Sequence, residues 1–280
     1  MLRQTVLIAG FTMAAGVSAQ TTHTFGAPTF DRWNYPFNPT PGFRTAASTF
    51  GSGFVPGMFD DRDAQFLNSF ITAGEIAPAL GAANYTITSA TATAALIGGE
   101  FTYDNVYNEG SSIDLFGTGF RNGLNAFAYG DDFVYGFGDP TTEDLRNAYA
   151  TDFAGGAFRD VSNNVRDAFT PTPFAIGNII GETPGTSVIG SGQVVEFTLD
   201  LNNPDVMNYL QESLNDGILS LSVTSLHLAS QGGDLVFPIF GTNDNGTPMT
   251  LDLEVLVIPA PASALLLGLG GLAGMCRRRK

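Results

Sequence analysis

The segment NYTITSATATAALI, from Asn84 to Ile97, decides the fold class of this chain. Its odd-numbered residues from Tyr85 to Thr93 alternate with the small or hydroxyl-bearing residues from Thr86 to Ala94. Successive side chains of a β-strand point to opposite faces, so such alternation, rich in β-branched residues, is typical of a strand. We therefore expect one long strand here, with the odd and even positions on opposite faces throughout.

A second alternating segment is followed by a clear helix. Gln193–Leu201 (QVVEFTLDL) places Val195, Phe197, Leu199 and Leu201 on one face of a strand. Asn203 is then a suitable N-cap, Pro204 fits the first helical turn, Asp205 favours the positive end of the helix dipole, and Gly217 ends the helix. The buried stripe expected for this helix is Val206, Tyr209, Leu210 and Leu214.

Further strands are expected on both sides of these segments. Before the helix we expect strands at Glu100–Tyr107, with Phe101, Tyr103 and Val106 inward, and at Ser112–Phe116. After it we expect Ile218–Leu228, Leu235–Phe240 and Thr250–Ile258, the last two joined as a hairpin through Asn243–Gly246. Residues 117–174 are rich in Gly and Asp, with one short helix expected at Thr141–Tyr149, and form either long loops or a second layer.

The overall composition agrees with an all-β protein. The chain has 34 Gly and 23 Phe, and only 14% of its residues are charged. The unit Phe197–His227, strand–helix–strand, loosely resembles one in bacterial DNRLRE-type jelly-roll domains. That resemblance implies a jelly-roll architecture. We predict an all-β, jelly-roll-like β-sandwich at 20–256, with one or a few short helices and long loops.

The N-terminus has the layout of a secretory signal peptide. Arg3 precedes an apolar segment, and the small residues Val17, Ser18 and Ala19 follow it. The alternative interpretation is a short membrane anchor, but an apolar stretch of about 11 residues is too short to span a bilayer. We predict a signal peptide at 1–19, removed by signal peptidase between Ala19 and Gln20.

The C-terminus, 257–280, contains a short motif, an apolar segment and a cationic end. Pro259, Ala260 and Pro261 precede an uncharged stretch over 263–276, and Arg277, Arg278, Arg279 and Lys280 end the chain. As a helix, the uncharged stretch reaches about 21 Å, short of a hydrocarbon core of about 30 Å. The terminal cations would stay on the cytoplasmic side of the membrane during export.

This order of features resembles the PEP-CTERM sorting signal, with Ala260 where the type motif has Glu. The resemblance implies recognition by an exosortase-type enzyme of diderm bacteria, transient insertion in the inner membrane, cleavage near the motif, and transfer to the cell surface or extracellular matrix. The alternative is an ordinary C-terminal transmembrane anchor helix.

Charge excludes several classes of partner. Between the two terminal segments lie all 27 acidic residues, seven arginines and no lysine. An acidic surface repels phosphates, so we expect no nucleic-acid or membrane-surface binding by this part. The single cysteine, Cys276, lies in the terminal segment, which leaves the rest without disulfides or thiolate chemistry.

Candidate ligand sites are few. The acidic residues Asp60, Asp61, Asp63, Asp131 and Asp132 are the best candidates for calcium, which oxygen ligands suffice to bind. Solvated loop acids are the alternative.

Two histidines, His23 and His227, are too isolated in sequence for a zinc site. Trp33 and Tyr35 form either a glycan-stacking platform or part of the core.

No catalytic motif stands out, and we expect no enzyme. The sequence thus favours an exported, structural or adhesive protein of the surface or matrix, linked by calcium to anionic exopolysaccharide. A carbohydrate-binding module that recognises an exopolysaccharide is the alternative. A secreted hydrolase would need a cleft with two convergent carboxylates.

Overall fold

A computed structural model of the chain describes residues 19–34, 45–51, 64–108, 110–117, 126–129, 148–154, 157–160, 173–228 and 235–258. For 126–129, 148–154 and 157–160 and for positions 30, 32 and 34, only the backbone is described.

Short antiparallel strands dominate these residues. They are β1 (Thr21–Phe25), β2 (Phe30–Asn34), β3 (Ala46–Ser48), β4 (Gln65–Ile71), β5 (Tyr85–Gly98), β6 (Glu100–Thr102), β7 (Ile113–Gly117), β8 (Ala126–Tyr129), β9 (Ala148–Ala154), β10 (Ala157–Asp160), β11 (Ala175–Ile176), β12 (Asn178–Ile179), β13 (Ser187–Ile189), β14 (Val194–Thr198), β15 (Ile218–Ser225), β16 (Ile239–Gly241) and β17 (Thr250–Val257). The α-helix α1 spans Pro204–Asp216.

Two large sheets form the body of the fold. A seven-stranded sheet has the order β1-β17-β5-β14-β12, with β16 pairing with both β5 and β3. A five-stranded sheet has the order β11-β7-β15-β4-β2. Smaller sheets are β10-β9-β8 and β13-β6. The predicted all-β, sandwich-like fold is confirmed.

The hydrophobic core lies between the two large sheets. Phe25 on β1 packs against Phe70 on β4, with ring centroids 6.3 Å apart. Phe66 on β4 stacks on Phe240 on β16 at 5.9 Å. These contacts join the seven-stranded sheet to the five-stranded sheet, as expected for two sheets packed face to face.

The five-stranded sheet is buried on its second face as well. The side chains that point away from the core include Gln65, Asp114, Phe116 and Thr224, which are all at most 3% exposed. At the edge of this sheet, β9 contacts β2. Residues 117–174, for which the sequence left loops or a second layer open, thus contain a small antiparallel sheet next to the five-stranded one.

The helix α1 begins and ends at the residues that the sequence indicated. The Asn203 side chain accepts a hydrogen bond from the Asp205 N–H, and Gly217 ends the helix in the left-handed region with φ 78°. All four residues of the predicted stripe are buried. The helix bridges the two sheets, because Tyr209 Oη donates to the Ser220 carbonyl and Gln211 Nε2 donates to the Tyr85 carbonyl.

A β-bulge overturns the predicted faces of β5. In the ladder with β17, Glu254 pairs with Ser89 and Val255 pairs with Ile87, so Thr88 is an extra residue. The buried residues are odd-numbered before the bulge (Tyr85, Ile87) and even-numbered after it, from Ala90 to Leu96. The prediction of two uniform faces was wrong, because one extra residue moves the following side chains to the other face.

The predicted hairpin through Asn243–Gly246 is also wrong. Strands β16 and β17 do not pair with each other; both run antiparallel to β5, β16 along its last residues and β17 along the preceding ones. The turn at Asn243–Asn245 is a 3-10 turn between two segments that continue in one direction. A turn sequence cannot tell whether its flanking strands pair with each other or with a third strand.

Two further expectations are corrected in part. The strand expected at Glu100–Tyr107 is only the three-residue β6; Phe101 and Tyr103 are buried as predicted, but Val106 is 61% exposed. The helix expected at Thr141–Tyr149 is wrong at its last two residues, which belong to β9. The remaining residues of that helix lie outside the described ranges.

The chain passes from one sheet to the other at a glycine. Strand β11 pairs with β7 in the five-stranded sheet, and β12 pairs with β14 in the seven-stranded sheet. Gly177 separates them, and a Cβ at this position would lie 2.6 Å from Val195 Cγ1. The close approach of the backbone to β14 therefore requires glycine.

We expect the substitution Asn203→Ala to lower the free energy of unfolding by about 1 kcal/mol, because it removes the cap of α1. Urea unfolding followed by circular dichroism measures the change. Asn208→Ala is the matched control, since Asn208 is exposed within the same helix. An equal or greater loss in the control would contradict the assigned cap.

Candidate functional site

The two ends of the domain meet on one edge of the seven-stranded sheet. Strand β1 pairs antiparallel with β17, from Thr21 opposite Val255 to Phe25 opposite Leu251. The start of β1 therefore lies beside the end of β17. The predicted signal cleavage point at Ala19 and Gln20 and the chain that leads into Pro259 leave the sheet at the same end.

Side-chain and backbone hydrogen bonds hold both ends in place. Gln20 Nε2 donates to Thr88 Oγ1 at 2.6 Å and to Glu254 Oε2 at 2.9 Å. The Ile258 N–H donates to the Asn84 carbonyl at 2.8 Å. The β5 bulge contributes directly, since Thr88 is its extra residue and also donates to Glu254 Oε2 at 3.3 Å.

Both ends are open to solvent where they leave the sheet. Ala19 and Gln20 are exposed, and Ile258 is 45% exposed. A protease needs an accessible, extended stretch of chain, and exposed strand ends provide one. Pro259, Ala260, Pro261 and the cations Arg277, Arg278 and Arg279 lie outside the described residues, so the sorting signal itself stays a prediction.

Hydroxyl and carboxylate groups cover the outer face beside these ends. They come from four adjacent strands: Thr22 and Thr24 on β1, Thr250, Asp252 and Glu254 on β17, Ser89, Thr91 and Thr93 on β5, and Glu196 and Thr198 on β14. Among the side chains that the structure describes, none belongs to Lys or Arg. The groups bond to one another across the strands: Thr24 Oγ1 donates to Asp252 Oδ1, and Thr93 and Thr250 share a hydrogen bond at 2.7 Å.

Trp33 packs between the two parts of the core. Its ring contacts the main cluster and a smaller one around Phe50 and Phe237. Its indole N–H donates to the Ser48 carbonyl at 2.8 Å. Trp33 is partly buried, and Tyr35, its proposed partner in a glycan platform, lies outside the described residues.

His227 is a buried histidine with one free ring nitrogen. It is 3% exposed, its Nε2 lies 2.7 Å from the Thr102 carbonyl, and its ring meets that of Phe101 edge-on. Because a carbonyl oxygen can only accept a hydrogen bond, Nε2 of the neutral ring carries the proton. The unprotonated Nδ1 is an acceptor without a hydrogen-bond partner. Burial lowers the pKa of His227, and the bond to Thr102 partly offsets this.

The described part of the chain contains no cluster of metal-ligating side chains. There, no three His, Cys, Asp or Glu side chains come together as a metal site would require. The calcium candidates Asp60, Asp61, Asp63, Asp131 and Asp132 lie outside it, so that expectation stays a prediction.

Over the same described ranges, no helix has the length and apolar character needed to cross a bilayer.

Sequence reasoning missed the contacts that organise the chain ends. Gln20 and Glu254 are 234 residues apart, and nothing near either residue signals the pairing. The alternating polar residues of Thr250–Ile258 were the one available sign, since they predict a strand with a polar outer face.

Comparison of the chain with known protein families, with curated proteins and with solved structures gave no match.

We expect His227 to make the fold less stable as the pH falls below about 6.5, the ordinary histidine pKa. The unfolded chain then takes up a proton that buried His227 resists, and this favours unfolding until the pH reaches the lowered folded-state pKa. The variant His227→Gln keeps an N–H donor but does not titrate, so this pH-dependent loss of stability is absent from it.

The measurement is the difference in unfolding free energy between wild type and variant from pH 7.5 to 5. We expect the wild type to lose stability relative to His227→Gln over this range. A constant difference would contradict the assignment.

Proposed function

We propose that this chain is an exported protein with a structural or adhesive, non-catalytic role, which an exosortase-type system sorts to the cell surface or extracellular matrix of a diderm bacterium. It passes through an intermediate held in the inner membrane by its C-terminal segment. Signal peptidase and the sorting enzyme are its processing partners.

The pairing of β1 with β17 is the observation that carries this proposal. During export, a signal peptide before Ala19 and a membrane segment after Pro261 would both connect the domain to the inner membrane. Since Gln20 and Ile258 leave the same end of one sheet, a folded domain can keep both connections at once. Ends on opposite sides of the sandwich would require the domain to open.

The outer face supports a role in contact with solvent and a hydrated matrix. Hydroxyls and carboxylates with no described cation among them favour solubility and repel anionic lipid and nucleic acid. Divalent cations such as calcium would link such a surface to an anionic exopolysaccharide.

A carbohydrate-binding role is the second proposal, based on Trp33, which is only partly buried. Because its indole N–H already donates to the Ser48 carbonyl, Trp33 would bind a sugar by stacking of its ring. If Trp33 stacks on a glycan, Trp33→Phe should keep retention on immobilised host exopolysaccharide, and Trp33→Ala should lose it while remaining folded. Unchanged retention of the folded Trp33→Ala protein would contradict this role.

Intact-mass analysis of the protein from its native host, with cell-bound and secreted fractions kept apart, tests the sorting proposal. The expected mature chain begins at Gln20 and ends near Pro259–Pro261. In the double variant Pro259→Ala and Pro261→Ala, we expect the unprocessed C-terminus to accumulate in the membrane fraction.

Pro184→Ala is the matched control, because Pro184 is an exposed turn proline, and it should be processed as wild type. A wild-type mass that retains Arg277 to Lys280 in every fraction would overturn the sorting proposal.

A further inference from the structure

Among the described residues, the strand β1 forms one ladder, with β17. It lies at one end of the strand order of the seven-stranded sheet and pairs with β17. Of its five residues only Phe25 is buried, while His23 is partly buried and the three threonines are exposed. Its removal would therefore break one set of backbone bonds and empty one position of the core.

The contacts of β1 fall on elements that every copy of the protein carries. Phe25 meets Phe70, His23 Nδ1 lies 3.4 Å from Glu75 Oε2, and Thr21 Oγ1 donates to the Val255 carbonyl. A second copy offers the same groove along β17 with the same partners. Exchange of β1 between two copies would therefore keep every one of these contacts.

The connection after β1 is short and crosses between the sheets. Only the four residues from Gly26 to Thr29 separate β1 from β2, which pairs with β4 in the five-stranded sheet. The Thr29 N–H is already bonded to the Ser69 carbonyl, and Pro28 fixes its own backbone angle. A connection of only four residues leaves little slack in the closed form, and short hinge loops are the ones that invite exchange of the strand they hold.

The order of synthesis adds a kinetic reason. In an exported chain β1 leaves the membrane first, whereas β17 follows more than 200 residues later. Until then β1 has no groove in its own chain, whereas a neighbour whose own β1 has not paired with its β17 offers one. Crowding of copies at a surface raises the chance of such an encounter.

We propose that β1 exchanges between copies of this chain, with residues Thr21–Phe25 of one copy inserted beside β17 of the next. The partner is a second copy of the same protein, and repeated exchange joins copies head to tail, since each gives one strand and accepts another. This deepens the proposed structural role and rests on it, because a matrix protein requires a means of self-association.

Cysteine cross-linking between two single variants tests the exchange. The full chain with Cys276→Ser is exported in a bacterial host and purified in mild detergent. Thr22→Cys and Glu254→Cys proteins are mixed at rising concentration and oxidised. Because Thr22 pairs with Glu254, and facing strand positions are close enough for a disulfide, exchange should yield a 22–254 link between chains that grows with concentration.

The matched control is a mixture of Thr93→Cys and Glu196→Cys proteins. These positions are also paired and partly exposed on the same face, but they lie on the inner strands β5 and β14. We expect at least a tenfold lower yield of the 93–196 link, because these strands cannot leave without unfolding. Equal yields would mean random collision and would overturn the proposal.

Peptide mapping of the cross-linked product separates the remaining outcomes. Links of 22 to 22 alone would indicate β1 edges lying side by side, and no link at all would indicate a closed monomer; either result overturns exchange. Insertion of Gly-Ser-Gly after Ala27 should lower the 22–254 yield severalfold by relaxing the connection. An unchanged yield would contradict the role of the connection.

The same samples distinguish this proposal from the proposed function. Their intact mass shows whether the chain begins at Gln20, and Thr22 lies in β1 whether or not residues 1–19 are removed. A chain that begins at Gln20 without a 22–254 link overturns the exchange alone. A chain that retains residues 1–19 counts against export and leaves the cross-link result valid.

Discussion

The ladder between β5 and β17 is the interaction on which the rest of the structure depends. Strand β5 is 14 residues long and lies inside its sheet, with β14 on one edge and β17 and β16 in succession on the other. The bulge at Thr88 divides it into two parts. Before the bulge, Tyr85 and Ile87 are buried; after it, the buried residues are Ala90, Ala92, Ala94 and Leu96. The bulge thus changes which side chains of β5 enter the core.

The same ladder brings the chain ends together. Because β17 runs along β5 and β1 runs along β17, the first and last strands of the domain become neighbours. Thr88, the extra residue of the bulge, accepts a hydrogen bond from the Gln20 side chain and donates one to the Glu254 carboxylate. The bulge that changes the buried face of β5 therefore also binds Gln20, and Gln20 is held to the sheet beside the end of β17.

The polar residues of the described chain lie both on an exposed sheet face and in the core. The outer face of the seven-stranded sheet presents hydroxyls and carboxylates that bond to one another. His227, the one described histidine with a free ring nitrogen, is buried against Phe101. Among the described residues, the threonines of the edge strand β1 and the chain at Ala19, Gln20 and Ile258 are exposed.

Local signals in the sequence were enough to find three elements: the long strand β5, the strand β14, which is shorter than the predicted Gln193–Leu201, and the helix with its cap at Asn203 and its end at Gly217. These follow from side-chain periodicity and from capping hydrogen bonds, which involve residues at most a few positions apart. Only the tertiary structure decided which strands pair. The bulge at Thr88, the placement of β16 and β17 in succession along β5, and the meeting of Gln20 with Glu254 each depend on partners distant in the chain. Backbone hydrogen bonds between strands are alike for every sequence, so the choice among partners is made by how the whole core packs.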